Sequence, residues 1–513
     1  MVRSPINFRA FLIVAGVVSA AVFCAYIYML DRTAGIASAC VLFVAIAAVG
    51  CLLIYKYITK KIKLRVVAAI ALSAALGISA FAFGASVCDE WKKGEVYNGY
   101  CSVSGRICAV DISSGNYEFV LENLYLNGKH ADGRMRVSVL SADNNVAEQV
   151  EIGDKLSFGA RVGHIKLVNG LRVNGYAYRT DIRYKTSVRG DEVNVSFGKA
   201  NVLEGFSSSL RDLLTENMGD KYGNIAFSML TGDKYGLDDE VSDYFTAAGL
   251  GHIMAVSGLH IGFLALALNF MLCKLGRKVR YPIVMTVLVG YAMLANFSPS
   301  VVRAVIMAAI SGFAVFVGGR RDLLSSLLCA FSFILAFKPL YLFDAGFLLS
   351  FCAIFGIALF SNSIKLFLTK RGAHNKIANG IGASVAVSLG ITPVQTYFFG
   401  RIHLLSVVAN VLLLPFVSVT FIVILAMLPI AAIPHCGAVL YAGKYMLAAM
   451  DYAVQGIAAV PYVTFAIRTS AAVFACYPVM FCASGYFIMD KGKTAAVVYS
   501  VAVCISIFAI CAV

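Results

Sequence analysis

The sequence predicts a polytopic α-helical membrane protein with a small all-β domain inserted near its start. Three observations carry that reading. Hydrophobic residues make up 60% of the 513-residue chain and charged residues only 14%. Several stretches run about 18 residues or more with almost no charge, enough to cross a hydrocarbon core as helix. One block, residues 95–190, breaks this pattern with polar, Gly-punctuated, alternating runs. Such a composition excludes an ordinary soluble enzyme. The net charge of +15 is read first as topology, because Lys and Arg collect in cytoplasmic loops.

Three apolar segments come first, at about 10–30, 34–55 and 66–87. The first is long enough to span and is read as a retained helix rather than a removable signal. Arg3 and Arg9 precede it, and Lys56, Lys60, Lys61, Lys63 and Arg65 follow the second segment. Both flanks are therefore cytoplasmic, and the third helix leaves on the outer face near Cys88. Residues 1–88 thus form an N-terminal membrane unit.

Residues 89–199 form the extracellular domain. Runs such as "YCSVSGRICAV", "YEFVLENLYL", "MRVSVL", "KLSFGARV" and "LRVNGYAY" alternate between turn residues. About five strands in this length suit an OB-like barrel, with a sandwich as the alternative. Cys101 and Cys108 stand on the oxidising side, where they are a candidate disulfide; unpaired thiols, Cys88 included, are the alternative. None of the 14 cysteines has zinc spacing, so no metal site or cofactor is expected. Between Lys155 and Arg189 the basic residues are Lys155, Arg161, Lys166, Arg172, Arg179, Arg183, Lys185 and Arg189 against Asp181, a net +7. Phe158, Tyr176, Tyr178 and Tyr184 are interleaved. OB folds hold single-stranded nucleic acid with such a basic groove and stacking aromatics. Exposed hairpin faces over core aromatics are the alternative.

Residues 200–246 link the domain to the second membrane block. Leu203, Phe206, Leu210, Leu213 and Leu214 recur at helical spacing, which predicts an amphipathic helix on the outer membrane surface. From 247 to 513, apolar segments follow at about 252–273, 281–297, 301–317, 323–337, 342–361, 377–399, 404–433, 437–460, 470–489 and 494–512. Threaded from outside, they place Lys274, Arg277, Lys278 and Arg280, then Arg320 and Arg321, then Lys365, Lys370, Arg371 and Lys376 in the cytoplasm. The expected total is about 13 spans. Residues 404–433 are long and contain Asn410 and Pro415, so a broken or re-entrant helix is the alternative there.

Ionisable residues inside membrane segments are functional candidates. They are His252, His260, Arg303, Asp344, Lys444 and Asp451, accompanied by Ser257, Ser298, Ser300, Ser350, Thr392, Gln395 and Asn410. Ser257 and His260, at i,i+3, can touch on one helix face. "AVSGL" is not a nucleophile elbow, so catalysis is disfavoured. His252 and His260 are eight apart with no further ligands nearby, which disfavours a metal. Gly249, Gly251, Gly258 and Gly262 mark a tightly packed, interrupted element beside a polar cavity. Arg303 needs a carboxylate, with Asp344 the natural candidate, or an anionic substrate. Lys444 and Asp451 share one helix face and suit a structural pair made through another helix.

These residues resemble a known pattern. "FSMLTGDKYGLDDEVSDYFTAAGLGHIMAVSGLHIGF" is similar to the signature of the ComEC family of competence proteins, inner-membrane channels for transforming DNA. The connector is Gly232–Asp233, the Gly-x-x-His segment runs from Gly249 through Gly251 to His252, and the core is Ser257, Gly258, Leu259 and His260. "SPSVVRAVIM" with Arg303, "KPLYLFDAGFLLSFCAIFGI" with Asp344 and Ser350, and "VVANVLLLPFVS" with Asn410 continue the resemblance. It implies a channel that carries single-stranded DNA into the cytoplasm, an outer OB-like domain, a DNA-receptor protein and a cytoplasmic helicase-like ATPase as partners, and a plasma-membrane location. Many members carry a C-terminal metallo-β-lactamase-like domain. This chain ends at Val513 without an H-x-H-x-D-H motif, so no nuclease or other enzymatic activity is expected. It also lacks a P-loop. A secondary transporter or flippase for an anionic small molecule or lipid-linked substrate is the alternative function.

Overall fold

The computed structural model describes residues 10–42 and 64–94, then 97–467 apart from short stretches, chiefly 141–149 and 317–322, and residues 473, 474, 476 and 477. The chain is mostly helical, with one β domain near its N-terminus. Among the described residues, four helices are long and apolar enough to cross a membrane: Ala71–Lys93, Ala345–Lys370, Asn375–Phe399 and Ser406–Ala431. Others are apolar but shorter, including Gly258–Met271 and Leu323–Phe337. This is fewer full-length spans than the 13 or so that apolar length suggests. One physical reason is interruption. The segment expected over 252–273 begins as a short 3-10 turn, Gly251–Ile253, and becomes α-helix only at Gly258. The segments at 34–55, 470–489 and 494–512 fall largely or wholly outside the described residues.

Three N-terminal helices come first: α1 (Ala10–Leu30), α2 (Arg32–Leu42) and α3 (Leu64–Gly94). The β domain follows as a closed five-stranded barrel. Its strands are β1 (Gly99–Ser113), β2 (Asn116–Leu126), β4 (Arg134–Leu140), β5 (Lys155–His164) and β8 (Ile182–Arg189). They are ordered β1-β2-β4-β8-β5, and β5 pairs back onto β1. Among the described residues, only β4 and β8 run parallel. The short strands are β3 (Lys129–Ala131), β6 (Val168–Asn169), β7 (Arg172–Val173) and β9 (Asn194–Ser196). Closure relies on β1, 15 residues long, which pairs with both neighbours and shifts register near Gly105 and Cys108. Such bulges bend a strand so that it can serve two sheet edges. Asn127 and Gly128 have φ of 51° and 75° and form the Asn-Gly hairpin turn into β3. Alternation on β5 sends Leu156, Phe158, Ala160 and Val162 inward to meet Leu121, Leu124, Met135 and Tyr184.

Cys101 and Cys108 do not form the disulfide considered from sequence. Both lie on β1. Seven residues at about 3.3 Å each set them roughly 20 Å apart, against about 6 Å between the Cα atoms of a disulfide. Cys101 Sγ instead donates to Tyr97 O, and Cys108 Sγ to Val120 O.

After the barrel come α5 (Val202–Met218), α6 (Asp220–Thr231) and α7 (Asp239–Ala247). The apolar face expected to rest on the membrane is divided. Leu210 and Leu214 are buried in the main helical core, whereas Phe206 is exposed. The sequestering element is α6, buried continuously from Gly223 to Thr231. It ends at Gly232, whose φ of 80° supplies a left-handed cap.

The remaining helices are α8 (Gly258–Met271), α9 (Arg277–Leu294), α10 (Pro299–Phe316), α11 (Leu323–Phe337), α12 (Ala345–Gly356), α13 (Asn362–Lys370), α14 (Asn375–Phe399), α15 (Ser406–Ala431) and α16 (Tyr441–Ala458). A π-turn at Ile357–Ser361 joins α12 to α13. α15 continues through Pro415 as one helix, so the broken-helix alternative for 404–433 does not hold. α8, α10, α12, α14 and α15 pack as successive neighbours, and α15 returns to α8. They form a closed circuit.

Candidate functional site

The segment around "GHIMAVSGLHIGF" is held by backbone and caps. Leu250 N–H donates to Phe245 O, and Ser228 Oγ donates to Met254 O at 2.8 Å. Gly249 has φ of 75°, and a Cβ on Gly251 would crowd the Thr246 hydroxyl. Ser257 is the N-cap of α8. Its backbone N–H donates to His260 Nδ1 at 3.2 Å, and its Oγ lies 3.4 Å from the same nitrogen. This is a capping box in which histidine takes the usual role of Glu or Gln. The ring of His260 stacks on Phe421 of α15 at 4.5 Å, and the residue is 1% exposed. His260 Nε2 and Asn410 Oδ1 are buried without a hydrogen-bond partner among the described residues. His252 and Leu259 are exposed. Among the described residues, no group of three or more His, Cys, Asp or Glu side chains could hold a metal.

Arg303 is the centre of a polar junction between three helices of the circuit. It is 4% exposed. Its Nε–H donates to Ser350 Oγ on α12 at 2.7 Å. Ser350 Oγ lies 2.9 Å from Ser300 Oγ, which accepts from Gly258 N–H at the head of α8 at 3.1 Å. The Phe351 ring faces the guanidinium at 5.7 Å, and Nη1 approaches Met307 Sδ. Nη2 rests against Gly258, whose missing side chain leaves it room. No carboxylate reaches Arg303 within ion-pair distance among the described residues. A buried guanidinium beside a helix N-terminus, itself a partial positive charge, creates an uncompensated positive field.

Asp344, the carboxylate expected to pair with Arg303, is engaged elsewhere. It is the N-cap of α12, accepting from Phe347 N–H at 2.8 Å. Its other oxygen lies 3.6 Å from Arg179 Nε of the barrel. Arg179 sits on α4 (Gly175–Thr180), which Asn174 caps through Ala177 N–H. A Cβ on Gly175 would collide with the Phe343 carbonyl, so glycine lets α4 dock against the head of α12. The barrel is also held at α3, where Arg183 lies over the Trp91 ring at 5.5 Å and pairs with Glu90 at 3.6 Å.

This docking divides the residues expected to bind nucleic acid. Arg179, Arg183 and Tyr178 hold the barrel to the helices, with Tyr178 against Tyr341 at 5.8 Å. Burial pushes the Tyr178 hydroxyl pKa up. Phe158 and Tyr184 belong to the barrel core. Tyr176 is exposed, but Arg136 and Arg179 both face its ring. Lys155, Arg161 and Lys166 are exposed. The Arg172 side chain lies outside the described residues, as do Arg320 and Arg321. Asp451 takes its cation from α6: Lys221 Nζ lies 2.6 Å from Oδ2, and the Tyr244 hydroxyl of α7 donates to Oδ1. Lys444 instead lies over the Tyr441 ring.

A mostly helical chain with four apolar helices of membrane-crossing length and a small β-barrel places the molecule among helical membrane proteins. Residues 229–491 match the family described as Competence protein. That is just over half of the sequence, and the chain belongs to the Competence protein (ComEC/Rec2) family. It is 28% identical over 260 residues to ComE operon protein 3 of Bacillus subtilis, covering 49% of this chain and 32% of that protein. It is 25% identical over 203 residues to the uncharacterized protein YcaI of Escherichia coli, covering 36% and 26%. The chain therefore aligns with about a third or less of each relative's length. No solved structure matches it.

Proposed function

We propose that this chain is a plasma-membrane channel that passes single-stranded DNA into the cytoplasm during natural transformation, with the barrel on the outer face. Family membership supports a role in DNA uptake. The observation that carries the channel reading is Arg303, buried at the junction of α8, α10 and α12 with no carboxylate within ion-pair distance among the described residues. A fixed positive field within a closed circuit of helices suits a polyanion that passes through rather than one that stays. Gly232 and Asp233 lie at the end of α6, where Gly232 packs against Val256, the residue before Ser257. The barrel's strand order, with its single parallel pair, fits an OB-like module that receives single strands. The chain acts without catalysis or cofactor. A DNA-receptor protein supplies substrate and a cytoplasmic helicase-like ATPase supplies energy.

Uptake of labelled DNA into the cytoplasm tests this reading. A deletion strain complemented with the wild-type chain regains internalisation, and one complemented with Arg303→Gln at equal membrane abundance does not. Normal internalisation by the deletion strain would refute the proposal. An ion-coupled flux of a small anion in liposomes, with no passage of DNA, would favour a secondary transporter.

A further inference from the structure

The outer face of the β1–β5 pair carries an aromatic ring that lies outside the basic window read from sequence. Tyr100 is 78% exposed. It stands opposite Arg161 in the register of β1 and β5. Its side chain crosses diagonally onto β5, where its hydroxyl would be 2.7 Å from a Cβ on Gly159. Any other residue at 159 would lift the ring away. The ring therefore rests on bare backbone with most of its surface open. Its surroundings on the same face are small: Ser102 pairs with Gly159, and Ser104 with Ser157. The alternation of β5 sends Lys155, Ser157 and Arg161 outward. Lys155 and Arg161 thus bracket the strip, roughly 20 Å apart by strand rise. Neither has a carboxylate within ion-pair distance among the described residues. Arg106, on β1 opposite Lys155, is paired with Glu122 at 3.2 Å.

The geometry points to a nucleobase-stacking site on this face, with Tyr100 as the platform and Lys155 and Arg161 as contacts for the flanking phosphates of a single strand. This rests on the DNA-uptake reading and locates the contact on a particular sheet face of the barrel. An exposed ring with one free face suits a base of any identity, because every base has a π-face. Two cations separated by small side chains let the sugar-phosphate chain pass between them without steric obstruction. Tyr176 is less suited, since Arg136 and Arg179 already face its ring.

The test uses the full chain in nanodiscs, a fluorescently labelled oligothymidylate, and an abasic strand of the same length, which keeps the phosphates and lacks the bases. The wild-type chain binds oligothymidylate several-fold more tightly than the abasic strand. Tyr100→Leu abolishes that preference, and Tyr100→Trp retains it. Lys155→Gln with Arg161→Gln weakens both strands alike and flattens the salt dependence by about 0.7 log units per lost contact. A base preference that survives in Tyr100→Leu overturns the stacking site while leaving the DNA reading intact. Lowered thermal stability in Tyr100→Leu with unchanged base preference also overturns it, reducing the ring to a cover for Gly159. If the wild-type chain binds neither strand, the DNA reading of the barrel fails, and the site fails with it.

Discussion

Arg303 occupies the space that a side chain on Gly258 would need. The glycine in the Ser-Gly-Leu-His core is thus explained by a long-range contact, since the turn itself needs no positive φ at that position. Gly258→Ala forces the guanidinium off Ser350, an overpacking change that costs about 1–3 kcal/mol. DNA internalisation is expected to fall at least tenfold, with a lower melting temperature. Gly262→Ala is the control, because nothing lies within 4 Å of its added Cβ. Equal uptake by the two variants would show that the contact is unimportant.

Asp344 serves two elements at once. Asp344→Asn keeps an acceptor for Phe347 N–H but loses the charge facing Arg179, whereas Asp344→Ala loses both. The lost cap alone is worth about 0.5–2 kcal/mol. Melting temperatures should rank wild type above Asn above Ala. Both variants should expose the α4 region to limited proteolysis, and Arg179→Gln should do the same. Unchanged protease resistance would mean that the Arg183–Trp91 contact suffices to hold the barrel.

Lys221 and Tyr244 meet at Asp451, and both hold their protons more tightly in the folded chain. Burial and then the Asp451 hydrogen bond push the Tyr244 hydroxyl up to about 12. For Lys221, burial acts downward, but the Asp451 hydrogen bond and charge outweigh it and raise the ammonium. The stability they contribute is present below pH about 10 and is lost as pH climbs through 12. Melting temperature should therefore drop over that interval, and Tyr244→Phe should make the drop shallower. An equally steep drop in Tyr244→Phe would place the alkaline sensitivity elsewhere.

Cys101 and Cys108 are separated along a single strand. Reductant should leave the melting temperature of the purified chain unchanged. Mass spectrometry after alkylation without reduction should find Cys101 and Cys108 unlinked to each other. A peptide linking them would contradict the register of β1.

Much of the architecture was legible because periodicity is local. The expected bounds of α11, 323–337, coincide with those of the helix, and alternation marked the barrel strands. Charge partners were not legible. Arg303 and Asp344 share one membrane block, yet a barrel residue more than 160 positions upstream of Asp344 takes the carboxylate. Tyr100 was not legible as a partner of Arg161 because the two become neighbours only through strand pairing. Apolar length alone also could not distinguish a full span from a shorter helix entered through a 3-10 turn, as at Gly251–Ile253.

Gly356 of α12 and Gly390 of α14 bring two backbones together, since a Cβ on either would strike the other helix's carbonyl. That contact is a fulcrum. Twelve residues away, at the opposite end of α12, Asp344 is gripped by the barrel. Ser350 stands midway, about 9 Å from each along the axis. If α12 pivots as a rigid lever, Ser350 travels about half as far as Asp344 does. Because Ser350 accepts the hydrogen bond of Arg303, a sideways shift of the barrel on its seat would be felt at that arginine at reduced amplitude, through a single helix and with no change in the fold.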